Sequence, residues 1–340
     1  MQALVLTAVG GPLEAKELPR PEPAAGEARV EVSACGLCHT DLHYLDHGVA
    51  TAKSPPLVLG HEISGVVDAL GEGAASPPVG QQVLVPALLP CGRCGYCRGG
   101  RENLCPDAKM PGNHIDGGFA KYLCVPAKDL VPLPPGIDPI SGAVIADALT
   151  TPYHAVVERA QVRPGERVAV IGCGGVGINV VQFAAAAGAE VVALDVSEEK
   201  LAISRELGAE ATINVAKVEN PARELRKHFG EGADVAFEVV GRPETIALGF
   251  SALRRGGRLC LVGYSANPAA LPANRAMFFE YTVLGSLGCP PASYPKVIDL
   301  VRRGKVRLDP VVTQRLPLLR FQEGLRALRQ GEGLRTVLLP

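Results

Sequence analysis

The sequence predicts an α/β protein of two domains, one a small β-barrel with long loops and the other a doubly wound parallel sheet. The chain has 340 residues, and a single hydrophobic core stops growing at roughly 250 to 300. Residues 1–165 hold 19 of the 29 prolines, seven of the ten cysteines and six of the seven histidines, whereas residues 166–285 hold four prolines. From Glu166 onwards, apolar runs alternate with helical patterns. This change in composition and pattern marks a domain boundary.

The first domain is predicted from short strands separated by turn clusters. Residues 28–32, Ala-Arg-Val-Glu-Val, alternate apolar and polar side chains, and residues 83–86, Val-Leu-Val-Pro, form a short apolar run. Alternation with period two is typical of half-buried strands. The proline-rich composition returns after Gly285, so one domain is interrupted by the other.

The second domain is predicted from apolar segments that each precede a helical stretch. Strands are expected at residues 167–172, 191–195, 234–240, 258–263 and 281–286, with helices over 176–187 and through Leu207. Strands that alternate with helices imply right-handed βαβ units and a parallel sheet.

Composition narrows the functional class. The chain is 47% hydrophobic and 20% charged, with a formal net charge of -1, as expected of a soluble globular protein with no nucleic-acid or membrane partner. The uncharged run Val168–Ala189 holds five glycines, and the N terminus lacks a basic region and a long apolar core. We expect a cytoplasmic protein, whose cysteines bind metal or pack in the core without forming disulfides.

A glycine-rich turn predicts dinucleotide binding. Gly172, Gly174, Gly175, Val176 and Gly177 lie between a predicted strand and a predicted helix, and Asp195 ends the next strand 18 residues after Gly177. The glycines permit a tight turn and close approach of a pyrophosphate to the helix N terminus, and the carboxylate suits an adenosine ribose while repelling a 2′-phosphate. NAD is therefore favoured over NADP. The alternative is a purely structural glycine turn.

Four cysteines predict a metal site. Cys91, Cys94, Cys97 and Cys105 fall within fifteen residues of a glycine-rich segment. Four thiolates this close together suit tetrahedral zinc with no open coordination position, and an iron–sulfur cluster is the rival interpretation.

A second cluster joins Cys35-Gly-Leu-Cys-His-Thr-Asp-Leu-His43 to Gly60-His-Glu62. The pattern Cys-x-x-Cys-His also occurs at c-type haem attachment sites and in redox proteins. Neither an export signal nor a thioredoxin-like context accompanies it here. Zinc held by one thiolate and one imidazole would keep positions for a third ligand and a substrate oxygen.

Together these motifs resemble the zinc-dependent medium-chain alcohol dehydrogenases over essentially the whole chain. The resemblance implies a GroES-like catalytic domain over residues 1–149, a Rossmann NAD-binding domain over 150–285 and a return to the catalytic domain over 286–340. It implies NAD and two zinc ions per chain. The structural zinc ligands would be the four clustered cysteines, and the catalytic zinc would be bound by Cys38 and His61.

The third ligand of the catalytic zinc departs from the family pattern. Where the family usually has Cys, this sequence has Asp147. A carboxylate oxygen also ligates zinc and is a harder donor than sulfur. We predict Asp147 as the third ligand, with Glu62 as the competitor, because the family's Glu at that position can move onto the metal.

The resemblance also implies a proton relay. The hydroxyl of Thr40 would contact the reacting oxygen, and His43 would receive the proton through the cofactor ribose. Asp41 would orient the zinc-bound imidazole, while His39 and Lys200 would contact the cofactor pyrophosphate and adenosine ribose. The remaining histidines, His47, His114, His154 and His228, have no comparable sequence context and are expected to be structural or solvated.

The expected reaction is hydride transfer between NAD and a primary, secondary or cyclic allylic alcohol, giving an aldehyde or ketone. Segments 109–113 and 147–153 resemble the branch that oxidises 6-hydroxycyclohex-1-ene-1-carbonyl-CoA. The alternative is an NAD-binding zinc protein with a sensory role and no such activity. By resemblance the chain is a homotetramer or homodimer joined through the strand near residues 281–287.

Overall fold

The computed structural model describes all 340 residues, and the chain forms two compact units. The first comprises Met1–Thr150, Gly288–Gly304 and Leu308–Pro340, and the second comprises Thr151–Leu287 and Lys305–Arg307. The first unit is therefore built from segments on both sides of the second along the chain. We describe the elements in chain order.

The N-terminal segment contains eight strands and four short helices. Its strands are β1 (Gln2–Leu6), β2 (Leu13–Glu17), β3 (Glu27–Gly36), β4 (Leu57–Val58), β5 (Glu62–Leu70), β6 (Gln82–Val85), β7 (Tyr122–Pro126) and β8 (Val131–Pro132). Its helices are α1 (His39–Leu45), α2 (Gly95–Arg98), α3 (Pro139–Gly142) and α4 (Thr150–Tyr153). The two runs predicted as strands from residues 28–32 and 83–86 lie in β3 and β6.

The second unit is a six-stranded parallel sheet with intervening helices. Its strands are β9 (Arg167–Ile171), β10 (Glu190–Asp195), β11 (Ala211–Asn214), β12 (Ala233–Glu238), β13 (Leu253–Leu261) and β14 (Thr282–Gly285). Its helices are α5 (Gly177–Ala186), α6 (Glu198–Glu206), α7 (Pro221–Phe229), α8 (Pro243–Ala252) and α9 (Ala273–Phe278). The spatial order is β11-β10-β9-β12-β13-β14, which is the doubly wound order with its switch point between β9 and β12.

The C-terminal segment completes the first unit. It contains α10 (Ser293–Arg302), β15 (Val312–Pro317), α11 (Phe321–Gln330) and β16 (Arg335–Leu339). Strand β16 pairs antiparallel with β3, where Leu338 lies opposite Cys35. The main sheet of this unit runs β15-β16-β3-β5-β6-β8, with β7 also paired to β3, and a second sheet runs β2-β1-β4. The last strand of the chain therefore lies beside the segment that leads to Cys38.

Each unit has its own apolar core. In the first, residues from β1, β3, β5 and α11 pack around Phe119, and in the second, β9, β10 and β12 pack against α7 and α8. The uncharged run Val168–Ala189 is divided between β9, the glycine turn and α5. No helix in the chain combines the length and apolar character needed to cross a bilayer.

Candidate active site

Four thiols converge in the loop Cys91–Cys105, which we call the four-thiol loop. The Sγ atoms of Cys94 and Cys97 are 3.4 Å apart, and those of Cys91 and Cys97 are 3.9 Å apart. All four sulfurs lie within 4.8 Å of one another. Zinc–sulfur bonds of about 2.3 Å in a tetrahedron place sulfurs roughly 3.8 Å apart. The loop therefore has the spacing that tetrahedral zinc requires.

Backbone amides of the same loop point at these sulfurs. The Arg93 N–H donates to Cys91 Sγ at 3.5 Å, the Cys97 N–H to Cys94 Sγ at 3.5 Å, and the Cys91 N–H to Cys105 Sγ at 3.4 Å. Hydrogen bonds from Arg93 and Cys94 lower the pKa of the Cys91 thiol to about 7. Donors to sulfur favour thiolates, which are the form that binds zinc.

A second set of side chains that could hold a metal ion lies in the first unit, formed by Cys38, His61, Glu62 and Asp147. We call it the buried ligand cluster. Their ligand atoms lie within 4.8 Å of one another, and His61 Nε2 is 3.7 Å from Asp147 Oδ2. All but Asp147 are buried. Cys38 immediately precedes α1, His61 and Glu62 meet at the start of β5, and Asp147 follows a 3₁₀ turn at residues 143–146.

Two glycines explain how these segments approach so closely. Gly36 pairs with Glu62 across β3 and β5, and a Cβ at Gly36 would lie 2.1 Å from Glu62 Oε2. Gly60 has a φ of +97°, and a Cβ there would lie 2.6 Å from the Phe119 ring and 2.7 Å from Cys35 Sγ. Only glycine fits at either position without moving its neighbours. The glycines in the two sequence motifs are therefore needed to bring the ligands together.

Arg335 of β16 is a cation buried beside this cluster. Its Nη2 lies 3.0 Å from Glu62 Oε1, its Nη1 donates to the Leu37 carbonyl at 3.1 Å, and the residue is only 3% exposed. Burial raises the pKa of Glu62 well above its usual range, and the Arg335 charge opposes that rise. Burial would also raise the pKa of Cys38, but the Arg335 charge and the neighbouring His61 imidazole lower it overall.

The donor set fits a zinc ion. The cluster offers one sulfur, one imidazole nitrogen and carboxylate oxygens, all of which zinc accepts. His61 Nε2 is buried and has no hydrogen-bond partner in the protein, although buried polar atoms are rarely left unpaired. Arg335 is the one cation buried among Cys38, Glu62, Asp41 and the less buried Asp147. A divalent cation coordinated there would satisfy the nitrogen and balance the acidic groups.

The predicted relay residues lie on α1, which follows Cys38. The Cys38 thiol lies 3.8 Å from Thr40 Oγ1, and Asp41 Oδ2 accepts a hydrogen bond of 2.9 Å from the Cys38 N–H. Asp41 therefore fixes the backbone at Cys38. Its orientation of the His61 imidazole stays a prediction. His43 is half-buried in the last turn of the helix, and His39 is exposed at its start.

The second unit holds the glycine turn in the predicted geometry. Gly172 follows β9 with a φ of +92°, and a Cβ at Gly177 would lie 1.8 Å from the Gly172 carbonyl oxygen. A Cβ at Gly174 would have no neighbour within 4 Å. Gly172 and Gly177 therefore shape the turn itself, while Gly174 leaves an open approach to the N terminus of α5, as a pyrophosphate would require.

Asp195 ends β10 next to that turn. Its Oδ2 accepts from the Cys173 N–H at 2.7 Å and its Oδ1 accepts from the Ser197 N–H at 2.9 Å. Each carboxylate oxygen can accept a further hydrogen bond, so both stay competent to bind ribose hydroxyls. Lys200 lies in the first turn of α6, where its N–H donates to Ser197 Oγ at 3.4 Å.

Comparison with known proteins matches both units. Residues 24–135 match the alcohol dehydrogenase GroES-like domain, and residues 175–303 match the zinc-binding dehydrogenase domain. An alcohol dehydrogenase of Geobacillus stearothermophilus is 36% identical over 308 residues, which cover 90% of each chain. The chain belongs to the zinc-dependent medium-chain alcohol dehydrogenase family.

Two further relatives of this family bear on the fold and the chemistry. The crystal structure of an NAD-dependent alcohol dehydrogenase superposes with a TM-score of 0.93 at 35% identity, covering all of both chains. An L-threonine 3-dehydrogenase of Bacillus subtilis is 33% identical over 95% of this chain and 94% of its own. The predicted GroES-like and Rossmann folds are confirmed, and so are an oxidoreductase activity and the cofactors NAD and zinc.

Three residues that hold these sites in place are missing from the sequence predictions. Arg335 is a lone cation in the otherwise largely apolar strand Arg335–Leu339, which is the only signal the sequence gives. The Tyr294 hydroxyl donates to the Ala146 carbonyl at 2.6 Å and fixes the turn before Asp147. Glu238, buried at the end of β12, accepts from the Val240 and Gly241 amides and from Thr245 Oγ1. An acidic residue that directly follows the buried apolar run Val235–Phe237 could have indicated this role.

Proposed function

We propose that this family member oxidises a primary, secondary or cyclic allylic alcohol to the aldehyde or ketone and reduces NAD. The observation that carries the proposal is the buried ligand cluster, in which Cys38, His61 and Asp147 offer three donors of different type beside a hydroxyl and a helix of relay residues. Zinc at these ligands would supply a Lewis acid that lowers the pKa of an alcohol, and NAD would supply the hydride acceptor.

In this proposal the side chains of the chain bind, orient and move protons. Cys38, His61 and Asp147 hold the metal, and Glu62 stays paired with Arg335. Asp41 fixes the backbone at Cys38 and orients the His61 imidazole. The Thr40 hydroxyl, next to Cys38, takes up the proton of the alcohol while it releases its own, and His43 receives the released proton as a base. His39 contacts the cofactor pyrophosphate.

The cofactor preference is proposed from the second unit. The glycines at 172, 174, 175 and 177, with Val176, bind the pyrophosphate at the start of α5, while Asp195 and Lys200 bind the adenosine ribose. An anionic side chain at Asp195 opposes a 2′-phosphate. We expect NAD to be used at least about tenfold better than NADP, and Asp195→Ser to reduce that ratio, since about 1.4 kcal/mol corresponds to a factor of ten.

The experiment is a substrate panel with NAD reduction followed at 340 nm. The panel contains primary and secondary alcohols, a cyclic allylic alcohol with and without a CoA thioester, and L-threonine, the substrate named for one relative. Turnover of any member supports the proposal and ranks the substrate classes. A protein that contains two zinc ions and binds NAD but reduces none of it across the panel would favour the sensory alternative.

The assembly is proposed to be a homotetramer or homodimer formed through β14. This strand is the edge of the parallel sheet, and Val283 and Leu287 are 41% and 60% exposed. An unpaired apolar edge strand is a surface on which a second copy can extend the sheet. Light scattering coupled to size exclusion tests the assembly, and Val283→Lys is expected to release monomers.

A cytoplasmic location is also proposed. The protein's ten cysteines are all free, which suits the reducing conditions of the cytoplasm.

A further inference from the structure

Two imidazoles meet at the end of α1. His43 Nδ1 lies 3.1 Å from His47 Nδ1, and the ring centroids are 5.3 Å apart at an interplanar angle of 44°. His43 is half-buried within the helix, whereas His47 lies two residues beyond its last residue and is exposed. The pair therefore runs from a partly buried nitrogen to a ring in contact with solvent.

The distance between the two nitrogens means that they share one proton. In a neutral pair at hydrogen-bond distance, one ring nitrogen donates and the other accepts. If His43 Nδ1–H donates to His47 Nδ1, then His43 Nε2 keeps its lone pair and can act as a base. With His47 as the acceptor, His43 has the tautomer that a proton relay requires.

We propose that His47 extends the relay and delivers the proton from His43 to water. This proposal rests on the proposed function, in which His43 receives the proton of the alcohol. A proton that arrives at His43 Nε2 makes an imidazolium, and the Nδ1 proton then passes to His47 Nδ1. His47 releases its Nε2 proton to water, so one proton enters and one leaves. The starting tautomers return when His47 takes a proton from water at Nε2 and passes its Nδ1 proton back to His43, whose half-buried ring then releases its Nε2 proton to water.

The charges around the pair are consistent with this route. Asp46 lies beside His47, and Arg329 of α11, the helix packed against α1, binds the Asp46 carboxylate through two hydrogen bonds of 2.7 Å. This pairing compensates the nearest negative charge. Burial and the positive charge that His47 can carry lower the pKa of His43, so His43 passes its proton outward readily.

The test compares His47→Leu with His228→Leu, a histidine of the second unit that pairs with Glu190. Removal of His47 removes a charge that lowers the pKa of His43, so that pKa rises. A higher pKa lowers the fraction of His43 that is neutral and able to accept a proton at pH 6. We expect kcat/KM of His47→Leu to fall about threefold to tenfold at pH 6, with little change at pH 9, and free imidazole in the buffer to restore it. His228→Leu should match the wild type at both pH values.

A second readout does not depend on turnover. Nitrogen-15 NMR titration of the full-length zinc protein should show the His43 and His47 rings titrating as a coupled pair, and His47→Leu should raise the His43 pKa. An unmoved His43 titration, or a pH profile of His47→Leu that matches the wild type, would overturn the relay. Failure of the proposed function is distinct, since wild-type protein would then reduce no NAD with any alcohol.

Discussion

The four-thiol loop and the buried ligand cluster each bring potential metal ligands together, but the loop uses one continuous segment and the cluster uses distant ones. The loop takes four identical donors from fifteen consecutive residues, and backbone amides of the loop itself support the sulfurs. The cluster takes donors of three kinds from three distant segments, and a buried arginine from the last strand compensates their charge. The loop is a site formed by local sequence, while the cluster exists only when the first unit is folded.

This difference has chemical consequences. Four thiolates fill a tetrahedral zinc and leave no position for a substrate, so the loop stabilises structure. In the proposed catalytic site, three donors, one of them the harder carboxylate of Asp147, would leave a position open for an oxygen ligand. The donor sets therefore predict a structural role for the loop and a catalytic role for the cluster.

Breaking the loop is expected to remove one zinc ion and to destabilise the fold. Cys97→Ala removes a buried ligand, so the chain should bind one zinc in place of two, and its melting temperature should fall by at least about 5 °C. Metal analysis and thermal denaturation measure this. Cys124→Ala, which alters a half-buried strand cysteine outside either cluster, should keep both zinc ions. If Cys97→Ala also kept two, the loop would not be a zinc site.

Breaking the cluster is expected to remove activity and leave the fold. His61→Ala deletes the imidazole ligand, and kcat/KM for the alcohol should fall at least about 10⁴-fold, equivalent to roughly 5.5 kcal/mol of lost transition-state stabilisation. The four-thiol zinc should remain, with a circular dichroism spectrum like that of the wild type. Activity within tenfold of the wild type would show that the cluster does not hold the catalytic metal.

Removing the buried arginine is expected to destabilise the first unit through its contact with the buried ligand cluster. Arg335→Leu leaves the Glu62 carboxylate buried without its cation, and breaking such a pair costs about 3–5 kcal/mol of unfolding free energy. Urea denaturation measures the loss. The double variant Glu62→Gln/Arg335→Leu should recover part of it, because no unpaired charge then remains. Additive effects of the two substitutions would mean that the ion pair contributes nothing.

Sites formed within one segment of the chain could be predicted from the sequence more completely than the cluster formed from distant segments. The spacing of Cys91, Cys94, Cys97 and Cys105 suffices to predict the loop, since its geometry is set within one segment. The Gly172 turn and Asp195 are predictable for the same reason, as consecutive parts of one βαβ unit. The strand β11 was not predicted, because its four residues Ala211–Asn214 are all half-buried and their apolar–polar alternation is too short to distinguish a strand from a loop.

The cluster could be predicted only in part. Cys38 and His61 belong to recognisable motifs, and Asp147 was found by its place in the family pattern. Arg335 is separated by 298 positions in the sequence from Leu37, whose carbonyl accepts its hydrogen bond. No local pattern reports contacts made by strand pairing over such a distance. His47 likewise follows His43 by four positions, but its 3.1 Å contact depends on how the chain leaves α1.

The central claim is that Asp147, and not Glu62, completes the catalytic zinc site with Cys38 and His61. Zinc content per chain of Asp147→Ala, Glu62→Gln and Asp147→Cys tests it most directly, with the wild type as reference. We predict one zinc for Asp147→Ala, and two for Glu62→Gln, for Asp147→Cys, which restores the family's usual ligand, and for the wild type. Two zinc ions with unchanged activity in Asp147→Ala, together with the loss of one in Glu62→Gln, would contradict the account.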